Sequence, residues 1–391
     1  MRPRRTSLCL CLLLTLCTAA VLYASTVVHI DARRIRDVND DGRAVGYESV
    51  LVNQVAQDHA CFYDTSVYDL VTLVGSDAYS QAYAVNEDGQ VAGYSKGSNG
   101  WTRAFRWTDT NDNDMRDPGE MIDLGTLGGY SSYARAINDD GDCAGTAQTA
   151  GLLKYEHAFL WVDSNENNQA DSGEMIDLGT LTGTASDPSH AWGMNDARVV
   201  VGQADSGIQY HAFMWCDTNG NLVSDSGEMI DLGTLGGSSS HAYDVNNATQ
   251  VVGIAVDGSG RSRAFLWQDA NNNHAADGGE MVDLGTLGGD NSTAYGINNH
   301  GHIVGTAQTT DGTYTAFLYF NGTMTNLNDF LPPASGWFLS EPKAISDDLF
   351  VVGIGSYGIS SDEPFRLYIP EPFGGIAAAF ALLIALRTSN R

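Results

Sequence analysis

Apolar positions in this chain fall in short runs broken by Gly, Asn, Asp and Ser, and helix-period spacing is scarce. That pattern predicts strands and turns. One run returns with its turn attached: Ala-Ile-Asn-Asp-Asp-Gly-Asp-Cys-Ala-Gly, ending at Gly145, has relatives ending at Gly46, Gly93, Gly202, Gly253, Gly305 and Gly353. The spacings between these glycines are 47, 52, 57, 51, 52 and 48, which defines seven units of near-constant length.

Each full unit reads as four strands. The first ends at the Asn of Ile-Asn-x-x-Gly, and a tight turn closing on Gly89, Gly141 or Gly301 leads to the second. The third carries Arg103-Ala-Phe105-Arg-Trp107, repeated at His157-Ala-Phe159-Leu-Trp161, His211-Ala-Phe213-Met-Trp215, Arg263-Ala-Phe265-Leu-Trp267 and Thr315-Ala-Phe317-Leu-Tyr319. Its almost unbroken apolar character predicts burial on both faces. The fourth begins at Met121, Met175, Met229 and Met281 and runs into Asp-Leu-Gly. The glycine ending each second strand is expected to permit close backbone approach.

Two irregular units fix the topology. In the sixth, Asn321-Gly322 joins strands three and four directly, so these are hairpin neighbours. The seventh reaches Pro370 without a fourth strand, while residues 26–31, Thr-Val-Val-His-Ile-Asp, precede the first unit and match Met-Ile-Asp-Leu. A borrowed N-terminal strand therefore completes the last sheet. The fold expected is all-β, a seven-bladed β-propeller of four-stranded blades closed by that strand. An open solenoid would need distinct polar caps, which the sequence lacks.

Between strands three and four, units two to five carry an inserted loop with the pattern Asp-x-Asn-x-Asn-x-x-x-Asp-x-Gly-Glu. The first copy presents Asp109, Asn111, Asn113, Asp117 and Glu120, and the second Asp163, Asn165, Asn167, Asp171 and Glu174. The third presents Asp217, Asn219, Asn221, Asp225 and Glu228, and the fourth Asp269, Asn271, Asn273, Asp277 and Glu280. Oxygens at positions 1, 3, 5, 9 and 12, with a carbonyl near 7, suit one hard cation, so about four Ca²⁺ ions are expected. Mg²⁺ prefers stricter octahedral geometry, and no Cys/His set suggests zinc.

Composition narrows the class. A formal charge of −28 argues against nucleic acid and anionic membrane partners. Arg2, Arg4 and Arg5, the apolar stretch 8–22 and the small residues at 24–25 read as an export signal, giving 1–24 signal peptide, 25–369 propeller and 370–391 tail. Outside the signal, Cys61, Cys143 and Cys216 imply no disulfide framework and read as buried thiols.

The units Ile-Asn-x-x-Gly-x-Val-Gly, His-Ala-Phe and Asp-Leu-Gly-Thr-Leu-Gly-Gly resemble the HAF repeat family of extracellular proteins across almost the whole mature chain. The resemblance implies secretion and architecture, not an activity. His59-Ala60-Cys61, Arg103-Ala-Phe105 and Glu363-Pro-Phe365 depart from His-Ala-Phe, so its histidine is not expected to be catalytic. The tail, Pro370-Glu-Pro372 followed by the apolar stretch 373–386 and Arg387 and Arg391, resembles the PEP-CTERM sorting signal. That implies an exosortase-like sorting protease as partner and only transient membrane contact. The loop resembles EF-hand and integrin α-chain hairpin loops, nearer the latter because no helices flank it and position 6 is Asp114, Asn168, Leu222 or His274 instead of Gly. Glu120 and its equivalents either join the ligands or simply begin strand four.

No His-Glu-x-x-His and no Cys with a paired base is present. The chain therefore reads as a non-enzymatic structural or binding module of the matrix or envelope, with an exopolysaccharide or surface protein as partner. The alternative is a glycan-cleaving propeller, marked by two carboxylates facing the central opening from non-equivalent positions. Two aberrant segments, 48–59 and 331–342 with Trp337 and Phe338, are where a ligand surface is expected.

Overall fold

The computed structural model describes residues 25–370 apart from 76, 77, 112–116, 118 and 272, so the signal and the sorting tail beyond residue 370 lie outside the described residues. Seven antiparallel sheets of four strands each form a ring, a seven-bladed β-propeller. Blade 3 shows the plan: Gly128–Ile137, Cys143–Thr149, Glu156–Trp161 and Met175–Asp177 pair in chain order. The first strands of successive blades touch one another all the way round, including those of blades 7 and 1, so they surround the axis. Solenoid ends are thereby excluded.

The third strands fill the spaces between blades. Phe213 and Trp215 of blade 4 pack with Ala158 and Leu160 of blade 3, whereas Phe159 and Trp161 pack with Ala104 of blade 2. All are fully buried. Each strand thus faces apolar neighbours on both sides, and each buried aromatic contributes roughly 2 to 3 kcal/mol. Cys61 and Cys143 are free and buried, and Cys216 is free but only partly buried.

Thr26–His29 is the fourth strand of blade 7, with Val27 opposite Leu367 and His29 opposite Phe365. The charge pattern explains the match. In blades 3, 4 and 5 the residue beginning the Ala-Phe motif meets the Asp of strand four, as His157–Asp177 at 2.9 Å, His211–Asp231 at 2.8 Å and Arg263–Asp283 at 2.8 Å. Blade 7 exchanges the partners, Glu363 accepting from His29 at 2.7 Å. The histidine and the arginine are therefore interchangeable donors holding the outer strand.

Turns lock the ring at one mouth of the axis. Asn39 donates its side-chain amide to the Asn86 carbonyl, Asn246 to that of Asn298 and Asn298 to that of Ser346, at 3.2, 3.0 and 2.9 Å. The next residue's N–H donates to the following blade's side chain, as Glu87 to Asp139 and Asn299 to Asp347, and Asp348 to Asp40 closes the circle.

Every first strand also carries a β-bulge. In blade 3, Ala134 pairs with Gly145 and Ala136 with Ala144, leaving Arg135 unpaired; the register slips at the same place in the other six. The repeated glycine makes this possible. A Cβ on Gly145 would lie 1.9 Å from the Tyr133 carbonyl oxygen, and on Gly202 1.9 Å from that of His190. Bulges re-aim the extra side chain.

Of the aberrant segments, 48–59 extends the Ala44–Val52/Val55–Tyr63 hairpin and leaves Leu51 and Val55 exposed at its tip. In the other, Trp337 packs on Tyr357 and Phe365, while Phe338 is exposed.

Candidate calcium loops

The four inserted loops stand at the hairpin tips joining third strands to short fourth strands. Their geometry repeats. In the third loop Asp217 accepts N–H bonds from Asn219, Gly220, Asn221 and Leu222 at 3.3, 2.7, 3.2 and 2.8 Å. Burial works to raise its carboxyl, but those four donors outweigh it, so Asp217 ionises below the usual carboxylate value. Asn219 and Asn221 both direct their amides at Asp225, at 2.8 and 2.9 Å. In the second loop Asn165 and Asn167 do the same to Asp171, at 2.8 and 2.7 Å, and hold its carboxyl below the ordinary value. The fourth repeats it through Asn271 and Asn273 to Asp277, both at 2.8 Å. In the first, Asn111 reaches Asp117 at 2.7 Å, and Asn113 lies outside the described residues.

Position 6 supplies the sharp turn. Asn168, Leu222 and His274 have φ of 55°, 55° and 56°, a left-handed conformation that calcium loops usually assign to Gly. The N–H of each donates to the Asp of position 1, at 3.0, 2.8 and 2.9 Å. Holding a non-glycine there costs on the order of 1 kcal/mol, and such strain persists where the surroundings fix it.

Positions 1, 3, 5 and 9 therefore converge, and position 12 does not join them. Glu120, Glu228 and Glu280 are buried, one oxygen accepting from the N–H of position 2 at 3.0 Å and the other from that of position 9 at 2.7 to 2.8 Å. Each staples its loop at the root. Glu174 keeps the second bond, from Asp171 at 2.7 Å, while its buried Oε1 has no partner. Among the described residues no three His, Cys, Asp or Glu gather as a metal group, and in the second, third and fourth loops the converging side chains are two carboxylates with two carboxamides between them. That donor set is all hard oxygen once the carboxamides present Oδ1, which a half-turn of each amide achieves.

Sequence pattern did not reveal that the loops differ in their neighbours. Arg106 of blade 2 reaches into the blade 3 loop, donating to Asp163 at 3.2 Å and Asn168 at 2.7 Å. The equivalent positions in blades 3 to 5 are Leu160, Met214 and Leu266, which supply no charge. Leu222 instead packs on the core between blades 3 and 4.

Carboxylates at the inner strands would mark a glycan-cleaving site. Asp37 and Asp244 follow the bulges of blades 1 and 5, at equivalent positions. Asp37 accepts from Val38 and Val85, both at 2.9 Å, and Asp244 from Val245 at 2.8 Å and Ile297 at 2.9 Å. Each therefore clips its own blade to the next. Burial, only partly opposed by these bonds, pushes Asp37 up to about 6 and Asp244 to about 7. A carboxyl whose folded value exceeds its unfolded value keeps a proton that the unfolded chain has lost, so it stabilises at low pH and that contribution disappears as pH rises from about 4 to 7. Chelated protein is expected to lose about 3 kcal/mol at Asp37 and about 4 kcal/mol at Asp244 over this window. Denaturant titrations across the range should show a flatter slope for D37A/D244A, which installs the alanine found at position 84; parallel slopes would contradict the assignment.

No family model and no curated protein matches the chain. Solved structures that it resembles include a puromycin hydrolase, with 13% identity, a TM-score of 0.46 and coverage of 86% of this chain and 50% of that one. Another is an ulvan lyase described as a new polysaccharide lyase family, at 12% and 0.43, covering 88% and 96%. A third is TolB from Acinetobacter baumannii, at 12% and 0.40, covering 71% and 64%. The chain thus spans half of the hydrolase and under two thirds of TolB. Similarity at this level bears on neither activity nor ligand.

Proposed function

We propose that this chain is an exported, HAF-type propeller whose four hairpin-tip loops bind calcium, and that it serves as a structural or binding module at the cell surface or in the matrix. The observation that carries the reading is the recurrence, in three fully or almost fully described loops, of two carboxylates and two carboxamides drawn onto one point by a left-handed sixth residue. Turn formation alone requires neither the second Asp nor the strain. In the third loop Asp217, Asn219, Asn221 and Asp225 would hold the ion, and Glu228 would hold the loop. The bound ion supplies positive charge between two carboxylates that otherwise repel.

An ion bound only by the folded state adds RT ln(1 + [L]/Kd), about 2.7 kcal/mol at a hundredfold excess over Kd. Asp217 cannot be removed cleanly, since it accepts four backbone donors with or without metal. Asp225→Asn preserves shape and removes one charge. Equilibrium dialysis of the parent is expected to count about four Ca²⁺, and of D225N one fewer. D225N should melt with the parent in chelator and below it in calcium. The blade 3 loop should be the weakest site, because Arg106 already occupies Asp163. A parent protein that retains no calcium at millimolar concentration would end this reading.

A further inference from the structure

The seven bulge residues, one per blade, form a nearly closed belt around the axis. Arg36 lies over the Tyr83 ring at 4.9 Å, and Arg135 covers both Tyr83 at 4.6 Å and Trp192 at 4.5 Å. Trp192 meets Tyr243 edge-on at 6.2 Å, Tyr243 meets Tyr295 at 5.7 Å, and Lys343 lies over Tyr295 at 4.7 Å. Each contact joins one blade to the next. The belt opens only between Lys343 and Arg36, two like charges.

Scaffold alone does not call for these residues. A bulge needs the opposing glycine, not a large side chain, yet all seven positions hold Arg, Lys, Tyr or Trp. Lys343 pairs with Glu341, but the two arginines are not spent in this way. With 48 acidic against 20 basic residues, the described arginines mostly find carboxylates, as in Arg33–Asp58, Arg198–Asp142 and Arg261–Asp257. Arg36 and Arg135, half-buried, form no ion pair or hydrogen bond with any described residue and rest on aromatic faces only. Arg36 Nε and Trp192 Nε1 are buried donors without partners. A buried donor left open keeps the full cost of its lost hydration, which a ligand rich in acceptors would recover.

We propose that this axial belt binds an acidic saccharide unit, its carboxylate or sulfate on Arg36 and Arg135 and its C–H face on Trp192 and Tyr243. Guanidinium forks match planar or tetrahedral oxyanions, and aromatic faces match the apolar side of a sugar ring. Asp40, Glu87, Asp139 and Asp196 surround the turn mouth, so the anion enters from the opposite face. This ligand class rests on the binding role proposed above for the propeller.

Calorimetric titration of the calcium-loaded protein with trigalacturonate, a sulfated heparin disaccharide and neutral cellotriose tests it. Binding of either acidic probe, no binding of cellotriose, and at least tenfold weakening in R135Q with melting and calcium count unchanged are expected. Should R135Q fold poorly, R36Q provides the same test, and R135K, which keeps charge but loses the fork, should weaken binding part-way. Absence of binding by both acidic probes, equal binding of cellotriose, or affinity indifferent to both arginines would overturn the proposal. Retention of about four calcium ions alongside any of those results would leave the calcium reading intact.

Discussion

Gly145→Ala is expected to destabilise the protein by about 4 kcal/mol or more, among the largest effects of any single methyl group. The added Cβ would sit 1.9 Å from the Tyr133 carbonyl oxygen and 2.9 Å from the Ala134 Cα, both backbone atoms that no rotamer change can withdraw. Gly145 has no positive φ, so the cost is collision, not conformation. Relief requires the inner strand to retreat, which undoes the bulge, moves Arg135 and loosens its contacts with blades 2 and 4. Gly278→Ala is the control: it has ordinary φ and no heavy atom within 4 Å, so it should be neutral or stabilise by under about 1 kcal/mol. Paired thermal melts decide the matter. A drop on the order of 10 °C for G145A with none for G278A is expected, and coincident melting of G145A with the parent would refute the account.

That glycine also marks how far the sequence could be read. Its recurrence disclosed the period and its need for close approach, because the physics of a missing Cβ applies equally in every copy. The same holds for Phe159 and Trp161, whose two-sided burial was visible as an unbroken apolar run. What the glycine approaches was not visible, since the bulge is a property of register between two strands. The residues it re-aims differ from blade to blade, from Arg135 to Trp192 to Tyr295, and so present no repeating letter. The loops divide in the same way. Spacing identified Asp217, Asn219, Asn221 and Asp225 as convergent, but Glu228, immediately before the strand, could not be assigned because both roles require a carboxylate. Its burial and its bonds to Thr218 and Asp225 place it at the loop root. Arg106 was silent because its partner, Asp163, belongs to another blade.

A chain beginning at Ala32 is expected to lose cooperative folding, because residues 25–31 supply the outer strand of the blade that closes the ring. Ile30 is fully buried and donates its N–H to Pro364 at 3.1 Å, the place taken by Leu178 and Ala158 in blade 3. Ile30→Ala alone should cost about 3 kcal/mol. Removing the whole strand also strips its partners from Phe365 to Tyr368 and uncovers an edge that can pair with another molecule. Losses of this size compare with the 5 to 15 kcal/mol that holds a typical domain together. Calcium should not close the gap to the parent, since its loops lie in blades 2 to 5, are intact in both chains and stabilise both alike. A synthetic peptide spanning residues 25–31 should partly restore melting when added in excess. The reversed ion pair gives a finer test of register: H29D sets two carboxylates together, and H29D/E363H should recover about 0.5 kcal/mol, the modest value of a half-exposed pair. Truncated protein that melts like the parent, or a double variant no better than H29D, would show that this strand does not hold the ring shut.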